Sequence, residues 1–185
     1  MRNMLILITG GSRSGKSNFA LERAMRFGGA RIFLATAQAV DDEMKQRIEA
    51  HRMTRPAGWS VVEEPNDVVN ALRTVLERTG PTAGVVIVDC VTIWISNLIL
   101  ENKAFGEADA AAKALELAQV ANGSPAGVIV VTNEVGSGVV PDNALARQFR
   151  DCAGRANQVL AREAAEVHLC VSGIAVAIKK SNGGA

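Results

Sequence analysis

One segment near the start of the chain, LILITGGSRSGKS at residues 5–17, constrains the fold more than any other. Its second half fits the pattern G-x-x-x-x-G-K-[ST], which is typical of a loop that wraps a phosphate chain. Glycine permits the tight curl, the backbone N–H groups point inward, and the following helix presents its positive end to the anion. The pattern is filled by Gly10, Gly11, Ser12, Arg13, Ser14, Gly15, Lys16 and Ser17. We therefore predict that the chain binds a nucleoside triphosphate.

The residues on either side of this loop have the order that phosphate binding requires. Leu5 to Thr9 is predicted as a buried strand, and Ser17 to Arg26 as a helix. Lys16 is expected to reach the β and γ phosphates, and Ser17 carries the hydroxyl that holds Mg²⁺ beside them. A glycine turn without a ligand is the alternative, and the order of strand, loop and helix disfavours it.

The composition is that of one globular domain. With 185 residues, of which 48% are hydrophobic, a single domain over residues 1–185 buries a sizeable core, and the polar tail at residues 181–185 is expected to fray. The 20 basic and 19 acidic residues leave a net charge of +1. This near-balance disfavours a broad basic surface, so we expect a small-molecule partner and no nucleic acid.

Cysteine usage and the N-terminus bear on location. Cys90, Cys152 and Cys170 are odd in number and widely spaced, which favours reduced thiols over a disulfide or zinc framework. The apolar run before Gly10 is too short for a signal peptide or a membrane span, and no later run reaches the roughly 20 apolar residues that a span needs. We expect a soluble, cytoplasmic protein without a membrane partner.

Apolar runs alternate with helical patterns along the rest of the chain. Further strands are predicted at Ala30–Thr36, Trp59–Glu63, Val85–Val88, Val128–Thr132, Val167–Ser172 and Ala175–Ile178. Further helices are predicted at Asp41–Arg52, Val68–Arg78, Thr92–Asn102, Ala108–Ala121 and Asn143–Ala165. This alternation predicts an α/β fold with a mostly parallel sheet, helices on both faces and a C-terminal antiparallel hairpin. The ligand is expected at the carboxyl ends of the strands.

A second nucleotide-binding element occurs in VVIVDC. Four apolar residues lead into Asp89, a pattern that puts a carboxylate next to the Mg²⁺ of a phosphate-binding loop. Asp89 could instead cap the helix that follows, as acids at strand ends often do. Cys90 is expected to pack as a small apolar residue rather than to react.

The two histidines differ in their surroundings. His51 lies near the end of a predicted helix, with Arg52 and Arg55 close behind it, whereas His168 lies in an apolar strand. A neutral His51 imidazole could attack the α-phosphate of a triphosphate while the arginines neutralise phosphate charge. His51 also falls on the apolar face of its helix, so a core or interface histidine fits equally well. The residues alone do not decide between these interpretations, and for His168 they favour a packed strand residue.

Over nearly its whole length, the sequence resembles the family of bifunctional adenosylcobinamide kinases and adenosylcobinamide-phosphate guanylyltransferases of cobalamin biosynthesis. The resemblance is carried by ITGGSRSGKS, FLATAQAVDDEMKQRIEAHRMTRP, VDCVTIWISNL, VVTNEVGSGVVPDNALARQFRDCAGRANQ and VSGIAVAIK. It implies a P-loop NTPase with a RecA-like sheet, assembled as a homotrimer. It also implies phosphorylation of a corrinoid by ATP or GTP, and transfer of GMP from GTP with Mg²⁺ through a histidine.

The resemblance assigns roles to individual residues. The guanylylated histidine of the family falls on His51, because it follows the DDEM helix and precedes Arg-Pro by a short spacing. Alanine occupies position 50, so the paired histidines of some members are reduced to one candidate. Besides the loop residues, with Lys16 as a catalytic residue, the nucleotide contacts fall on Ala35, Thr36, Ala37, Arg52, Met53, Thr54, Arg55, Glu63 and Asp89.

Two matters stay open at the level of sequence. Asn133 and Glu134 point to the expected ligand edge, and Gly136-Ser137-Gly138 after them is either a flap over the corrinoid or a polar turn. The rival functions are a single-function P-loop small-molecule kinase, a nucleic-acid ATPase, which the near-neutral charge disfavours, and a nucleotide-sensing regulator.

Overall fold

A computed structural model describes residues 5–39, 42, 45, 46, 49, 57–80 and 83–180. The strands are β1 (Leu5–Gly10), β2 (Ala30–Ala35), β3 (Ser60–Glu63), β4 (Ala83–Asp89), β5 (Gly127–Val131), β6 (Glu166–Val171) and β7 (Ile174–Lys179). The helices with described bounds are α1 (Lys16–Ala24), α2 (Val68–Thr79), α3 (Val91–Glu101), α4 (Glu107–Asn122) and α5 (Ala144–Glu163).

The seven strands in the described part of the chain join one sheet in the order β3-β2-β4-β5-β1-β6-β7. β1 to β6 run parallel, and β7 pairs antiparallel with β6. At the centre, β1 lies between β5 and β6, with Leu7 opposite Val130 on one side and Val167 on the other. The carboxyl ends of the parallel strands therefore meet at the edge where β1 runs into the glycine-rich loop.

The sheet separates two apolar layers. On one face, α2, α3, α4 and α5 bury residues such as Leu72, Trp94, Leu117 and Leu160 against it. On the other face, α1 packs through small side chains, among them Ala20. The central strands β1, β4 and β5 are buried on both faces, which explains their nearly continuous runs of Val, Ile and Leu.

The fold predicted from the sequence is confirmed. The sheet is mostly parallel, helices lie on both faces, and the described strands and helices match the predicted ones to within two residues at each end. The C-terminal hairpin turns at Ser172 and Gly173, whose φ values of 51° and 84° suit a tight two-residue turn. The predicted helix at Asp41–Arg52 and the tail at residues 181–185 fall largely or wholly outside the described residues. In the described ranges, none of the helices combines the length and apolar character needed to cross a bilayer.

Candidate nucleotide-binding site

The topology brings most of the predicted site residues to one edge of the sheet. Gly10 ends β1, Ala35 ends β2, Glu63 ends β3 and Asp89 ends β4. Neighbouring strands are about 4.8 Å apart, so β3, four strands from β1, lies about 19 Å from it. The phosphate loop and Glu63 therefore stand at opposite ends of a long ligand edge, with Asp89 between them.

The loop between β1 and α1 is held from the side by the C-terminal hairpin. The N–H of Gly173 donates to the Ser14 carbonyl oxygen at 3.0 Å. A Cβ on Gly15, where φ is 93°, would lie 3.0 Å from the Gly173 Cα, and a Cβ on Gly10 would lie 2.3 Å from the Cys170 carbonyl oxygen. Two glycines of the motif are thus required by close backbone contacts as well as by the curl around a phosphate.

Lys16 is buried at the start of α1. Its Nζ donates to the Gly11 carbonyl oxygen and lies 3.5 Å from Ser14 Oγ. Burial lowers the pKa of the Lys16 ammonium, an effect that the neighbouring Asp89 carboxylate partly offsets. A phosphate in the loop would supply the counter-charge that this desolvated ammonium needs.

Ser17 and Asp89 meet in front of Lys16. The Ser17 hydroxyl donates to Asp89 Oδ2 at 3.4 Å, so two oxygen ligands from α1 and β4 face one point. This donor set fits Mg²⁺, which prefers oxygen and keeps several of its waters beside one or two protein ligands. A cavity of about 500 Å³ opens here, lined by the loop and by residues that include Asp89, Cys90 and Asn133. Its size is in the range of small-molecule sites.

Cys90 packs as predicted. Its side chain is buried, and burial together with the Asp89 charge raises the pKa of the thiol to about 11. The thiol is therefore neutral at physiological pH and contributes an apolar wall to the cavity rather than a nucleophile.

The ends of β2 and β3 are held by side chains from α3. Asn97 Nδ2 donates to the carbonyl oxygens of Thr36 and Pro65, both at 2.9 Å, and Trp94 Nε1 donates to the Asn66 carbonyl oxygen at 2.7 Å. The Thr36 hydroxyl both donates to the Cys90 carbonyl oxygen and accepts from its N–H. This part of the edge has its shape set through main-chain carbonyl groups.

The residues that follow β5 form a polar network with side chains of α3 and α5. The sequence did not predict this network. Asn157 of α5, buried, accepts from Thr132 Oγ1 at 2.7 Å and donates to the Asn133 carbonyl oxygen at 3.1 Å. Thr92 accepts from the backbone and side-chain N–H groups of Asn133. The signal for it is an Asn and a Thr at positions whose periodicity assigns them to the apolar core.

The second histidine has structural contacts. His168 Nε2 lies 3.0 Å from Glu166 Oε2, which also accepts from Arg23 Nη2 of α1 at 2.6 Å. The His168 ring lies 5.0 Å from that of Phe19, between centroids. The other predicted histidine, His51, and the predicted nucleotide contacts that follow it, Arg52, Met53, Thr54 and Arg55, lie outside the described residues.

A glycine-rich loop between a central parallel strand and a helix, with a serine and an aspartate that fit Mg²⁺, defines a P-loop nucleotide-binding α/β protein. The family model that matches the chain is described as CobU, cobinamide kinase / cobinamide phosphate guanyltransferase, and it matches residues 6–178. The chain belongs to this family.

Individual relatives agree with this assignment. The chain is 41% identical to the bifunctional adenosylcobalamin biosynthesis protein CobU of Escherichia coli, over 95% of this chain and 100% of the relative. It is also 41% identical to CobU of Salmonella typhimurium, over 95% and 100% of the two chains. The similarly named CobP of Pseudomonas aeruginosa is 40% identical, over 94% of this chain and 96% of the relative.

Proposed function

We propose that this chain is a bifunctional enzyme of cobalamin biosynthesis. It phosphorylates the hydroxyl of adenosylcobinamide with ATP or GTP, and it then transfers GMP from GTP to the new phosphate to give adenosylcobinamide-GDP. The observation that carries the proposal is the phosphate loop with its Ser17 and Asp89 pair, in a chain 41% identical to relatives named as bifunctional adenosylcobalamin biosynthesis proteins.

In the kinase step, the loop binds the triphosphate through its N–H groups, and Lys16 moves from the Gly11 carbonyl oxygen to the β and γ phosphates. Ser17 and Asp89 are the residues that would hold Mg²⁺, which supplies charge neutralisation for the phosphates. The contribution of the protein is to position the phosphates and to stabilise charge in a partly enclosed cavity.

In the guanylyl step, a neutral His51 imidazole attacks the α-phosphorus of GTP. A nitrogen–phosphorus bond forms, and pyrophosphate leaves with the electron pair of the broken phosphorus–oxygen bond. An oxygen of the corrinoid phosphate then displaces the histidine and takes the GMP. Arg52 and Arg55 neutralise phosphate charge, and the other nucleotide contacts are those of Ala35, Thr36, Ala37, Met53, Thr54 and Glu63.

The corrinoid approaches along the segment after β5. Val139 is 95% exposed and Val140 is 61% exposed, and Leu145 at the start of α5 is exposed as well. An apolar surface of this kind, on the segment that follows the cavity residue Asn133 in the chain, suits a large macrocycle that carries its reacting hydroxyl on a side arm.

We further propose a cytoplasmic homotrimer. The resemblance implies this assembly, and the edge strand β7 supports a subunit contact, because Ile174, Val176 and Ile178 are all exposed on one face of it. Alternating residues of a strand point to the same face, so these three side chains form one apolar strip.

A single-function small-molecule kinase is the second candidate. The observation that favours it is that the loop, Lys16 and the Ser17 and Asp89 pair suffice for γ-phosphoryl transfer without a histidine. The two candidates differ in whether GTP leaves a covalent GMP on the protein.

The test is to incubate the purified protein with Mg²⁺ and α-labelled GTP, and to follow it by intact mass and peptide mapping. We expect an acid-labile GMP adduct on His51, and none with γ-labelled GTP as the source of label. An unmodified protein that still transfers the γ-phosphate would favour the plain kinase. An adduct that persists in His51→Ala would overturn the assignment of the histidine.

A further inference from the structure

We propose that Glu134 is the catalytic base of the kinase step. Its carboxylate takes the proton from the substrate hydroxyl as that oxygen attacks the γ-phosphorus. This inference rests on the kinase half of the proposed function and adds a residue that the phosphate loop and its Mg²⁺ ligands do not include.

The backbone of Glu134 lies beside the start of the phosphate loop. The Glu134 N–H donates to the Gly10 carbonyl oxygen at 3.1 Å, which continues the pairing of β5 with β1 past the last residue of β5. Lys16 Nζ donates to the carbonyl oxygen of Gly11, the next residue of the loop. Glu134 and the lysine that is expected to bind the terminal phosphate therefore contact adjacent residues at the same end of the loop.

Two neighbouring side chains hold the Glu134 carboxylate through one of its oxygens. Glu134 Oε1 accepts from Thr9 Oγ1 at 2.6 Å and lies 3.4 Å from Asn157 Nδ2. Asn157 is itself oriented by Thr132 at 2.7 Å. The described donors to the Glu134 side chain all contact Oε1, and the residue is exposed at the edge of the sheet. One oxygen is thus fixed by the protein, and Oε2 is available to a substrate, as a general base requires.

The other carboxylates that the structure describes along this edge differ from that of Glu134 in position or in contacts. Asp89 accepts from Ser17 and belongs to the Mg²⁺ ligands. Glu63 is the last residue of β3, about 19 Å from β1 by the spacing of the strands. Glu64 accepts from two backbone N–H groups that precede α2, so it serves the local turn. Of these four acids, Glu134 is the one that adjoins the start of the phosphate loop.

The proposed approach of the substrate also favours Glu134 as the base. Glu134 is the last residue paired to β1 before the chain leaves the sheet edge, and the exposed Val139 and Val140 follow shortly after it. A macrocycle on this apolar segment would bring a hydroxyl on its side arm to the space between the segment and the loop. Glu134 lies at that junction.

The chemistry balances without another reactant. The oxygen–hydrogen bond of the substrate breaks and its proton goes to Glu134 Oε2, while the oxygen forms a bond to the γ-phosphorus. The bond between the γ-phosphorus and the bridging oxygen breaks, and the nucleoside diphosphate leaves with the electron pair. Glu134 then releases its proton to water. The guanylyl step needs no such base, because its acceptor is a phosphate oxygen that is already ionised.

This difference between the two steps gives the experiment. Glu134→Gln keeps the shape of the side chain and removes its basicity, and Glu101→Gln, an exposed acid at the end of α3, is the matched control for loss of charge. Three rates are measured for each protein: phosphorylation of cobinamide by ATP, formation of the GMP adduct from GTP, and transfer of GMP to cobinamide phosphate made beforehand.

We expect Glu134→Gln to slow phosphorylation by about 10²- to 10⁴-fold, the usual contribution of a general base, and to leave both guanylyl rates within about threefold. Glu101→Gln should match the wild type in all three. A kinase rate within threefold of the wild type in Glu134→Gln would overturn the inference, and so would a parallel fall of all three rates, which would indicate a role in loop structure.

A second variant tests the base directly. In Glu134→Ala, added formate should restore part of the phosphorylation rate in proportion to its concentration, and failure of this rescue would contradict a proton-accepting role. A wild-type protein that phosphorylates no cobinamide would overturn the proposed function itself. An active wild type with an equally active Glu134→Gln variant would overturn this inference alone.

Discussion

The two halves of the ligand edge are built by different means. Around β1, β4 and β5, side chains contact one another at the ends of the strands, as Ser17 does with Asp89 at the cavity and Thr9 does with Glu134 beside it in the sheet. Around β2 and β3, side chains of α3 bind main-chain carbonyl groups, as Asn97 does with those of Thr36 and Pro65.

The two halves of the ligand edge are expected to respond differently to substitution. The β1, β4 and β5 half presents ionisable and hydroxyl groups, so we expect substitutions there to change reaction rates. In the β2 and β3 half, side chains of α3 hold the main chain in place. We therefore expect substitutions there to change stability and nucleotide affinity together. We propose that the phosphate loop serves both activities, so its loss should remove the distinction.

The largest effect is expected for Lys16→Ala. Removal of the ammonium from the phosphate loop should slow both phosphorylation and formation of the GMP adduct by about 10³-fold, because a preorganised charge at the phosphates is lost from both transition states. Lys113→Ala, which removes an exposed lysine paired with Glu116 on α4, is the control. The measurement is the pair of rates at saturating Mg²⁺, and a variant that keeps either activity would contradict a shared loop.

The next effect concerns the half around β2 and β3. Asn97→Leu leaves the carbonyl oxygens of Thr36 and Pro65 without this donor, which should lower the free energy of unfolding by about 1–3 kcal/mol. We also expect a higher KM for GTP in adduct formation, with a smaller change in the kinase kcat. Both are measured, the first by urea denaturation.

The control for this variant is Asn122→Leu. Asn122 donates to the Glu163 carbonyl oxygen at 3.1 Å and joins α4 to α5 away from the ligand edge. It should lose comparable stability with an unchanged KM. If both variants shifted the KM equally, the effect would come from general destabilisation. The hydrogen bonds of Asn97 to the two carbonyl groups would then have no specific role in nucleotide binding.

A smaller effect is expected for Thr9→Val. This change removes the hydroxyl that orients Glu134 and keeps the β-branched shape that suits β1. A hydrogen bond to a charged carboxylate is worth about 1.5–3 kcal/mol, so phosphorylation should slow by at most roughly 10- to 150-fold. Formation of the GMP adduct should not change. Equal slowing of both reactions would show that Thr9 acts through the loop instead.

The smallest effect is expected away from both halves, where Glu166 joins β6 to α1. Burial favours a higher pKa, but the hydrogen bond from His168 and the charge of Arg23 outweigh it and hold the pKa of Glu166 below its ordinary value of 4.5. A carboxyl whose pKa is lowered by folding stabilises the protein above its unfolded pKa, and this stability is lost as the pH falls through the folded value.

The measurement is the free energy of unfolding from pH 7 downward. Glu166→Gln should be less stable than the wild type at pH 7, and the gap should close as the pH falls below 4.5. The ratio of the two activities should not change, because α1 adjoins the loop that we propose for both. A gap of constant size down to low pH would contradict a stabilising charge at Glu166.

Several features were predictable because they are local in sequence. The phosphate loop follows from glycine spacing, Asp89 follows from an apolar run that ends in an acid, and the hairpin follows from two short strands around Gly173. The placement of Glu134 at the ligand edge follows from the end of β5. In each case the pattern and its physical meaning lie within one segment.

Other features depend on contacts between distant segments. The approach of Gly173 to Gly15, the bond of Asn97 to two separate carbonyl groups, and the orientation of Glu134 by Asn157 have no signature in either segment alone. Periodicity shows that Asn97 lies on a largely apolar helix and that Asn157 lies on the apolar face of an amphipathic one. It does not show which partner satisfies them, because that is decided by packing.

The most direct test is the kinase activity of His51→Ala. We propose that one phosphate loop serves two reactions and that His51 takes part in one of them. We predict phosphorylation of cobinamide within about threefold of the wild type, and no GMP adduct, in the same preparation of the variant. A variant that loses phosphorylation to the same degree as guanylylation, or that still forms the adduct, would contradict this division of labour.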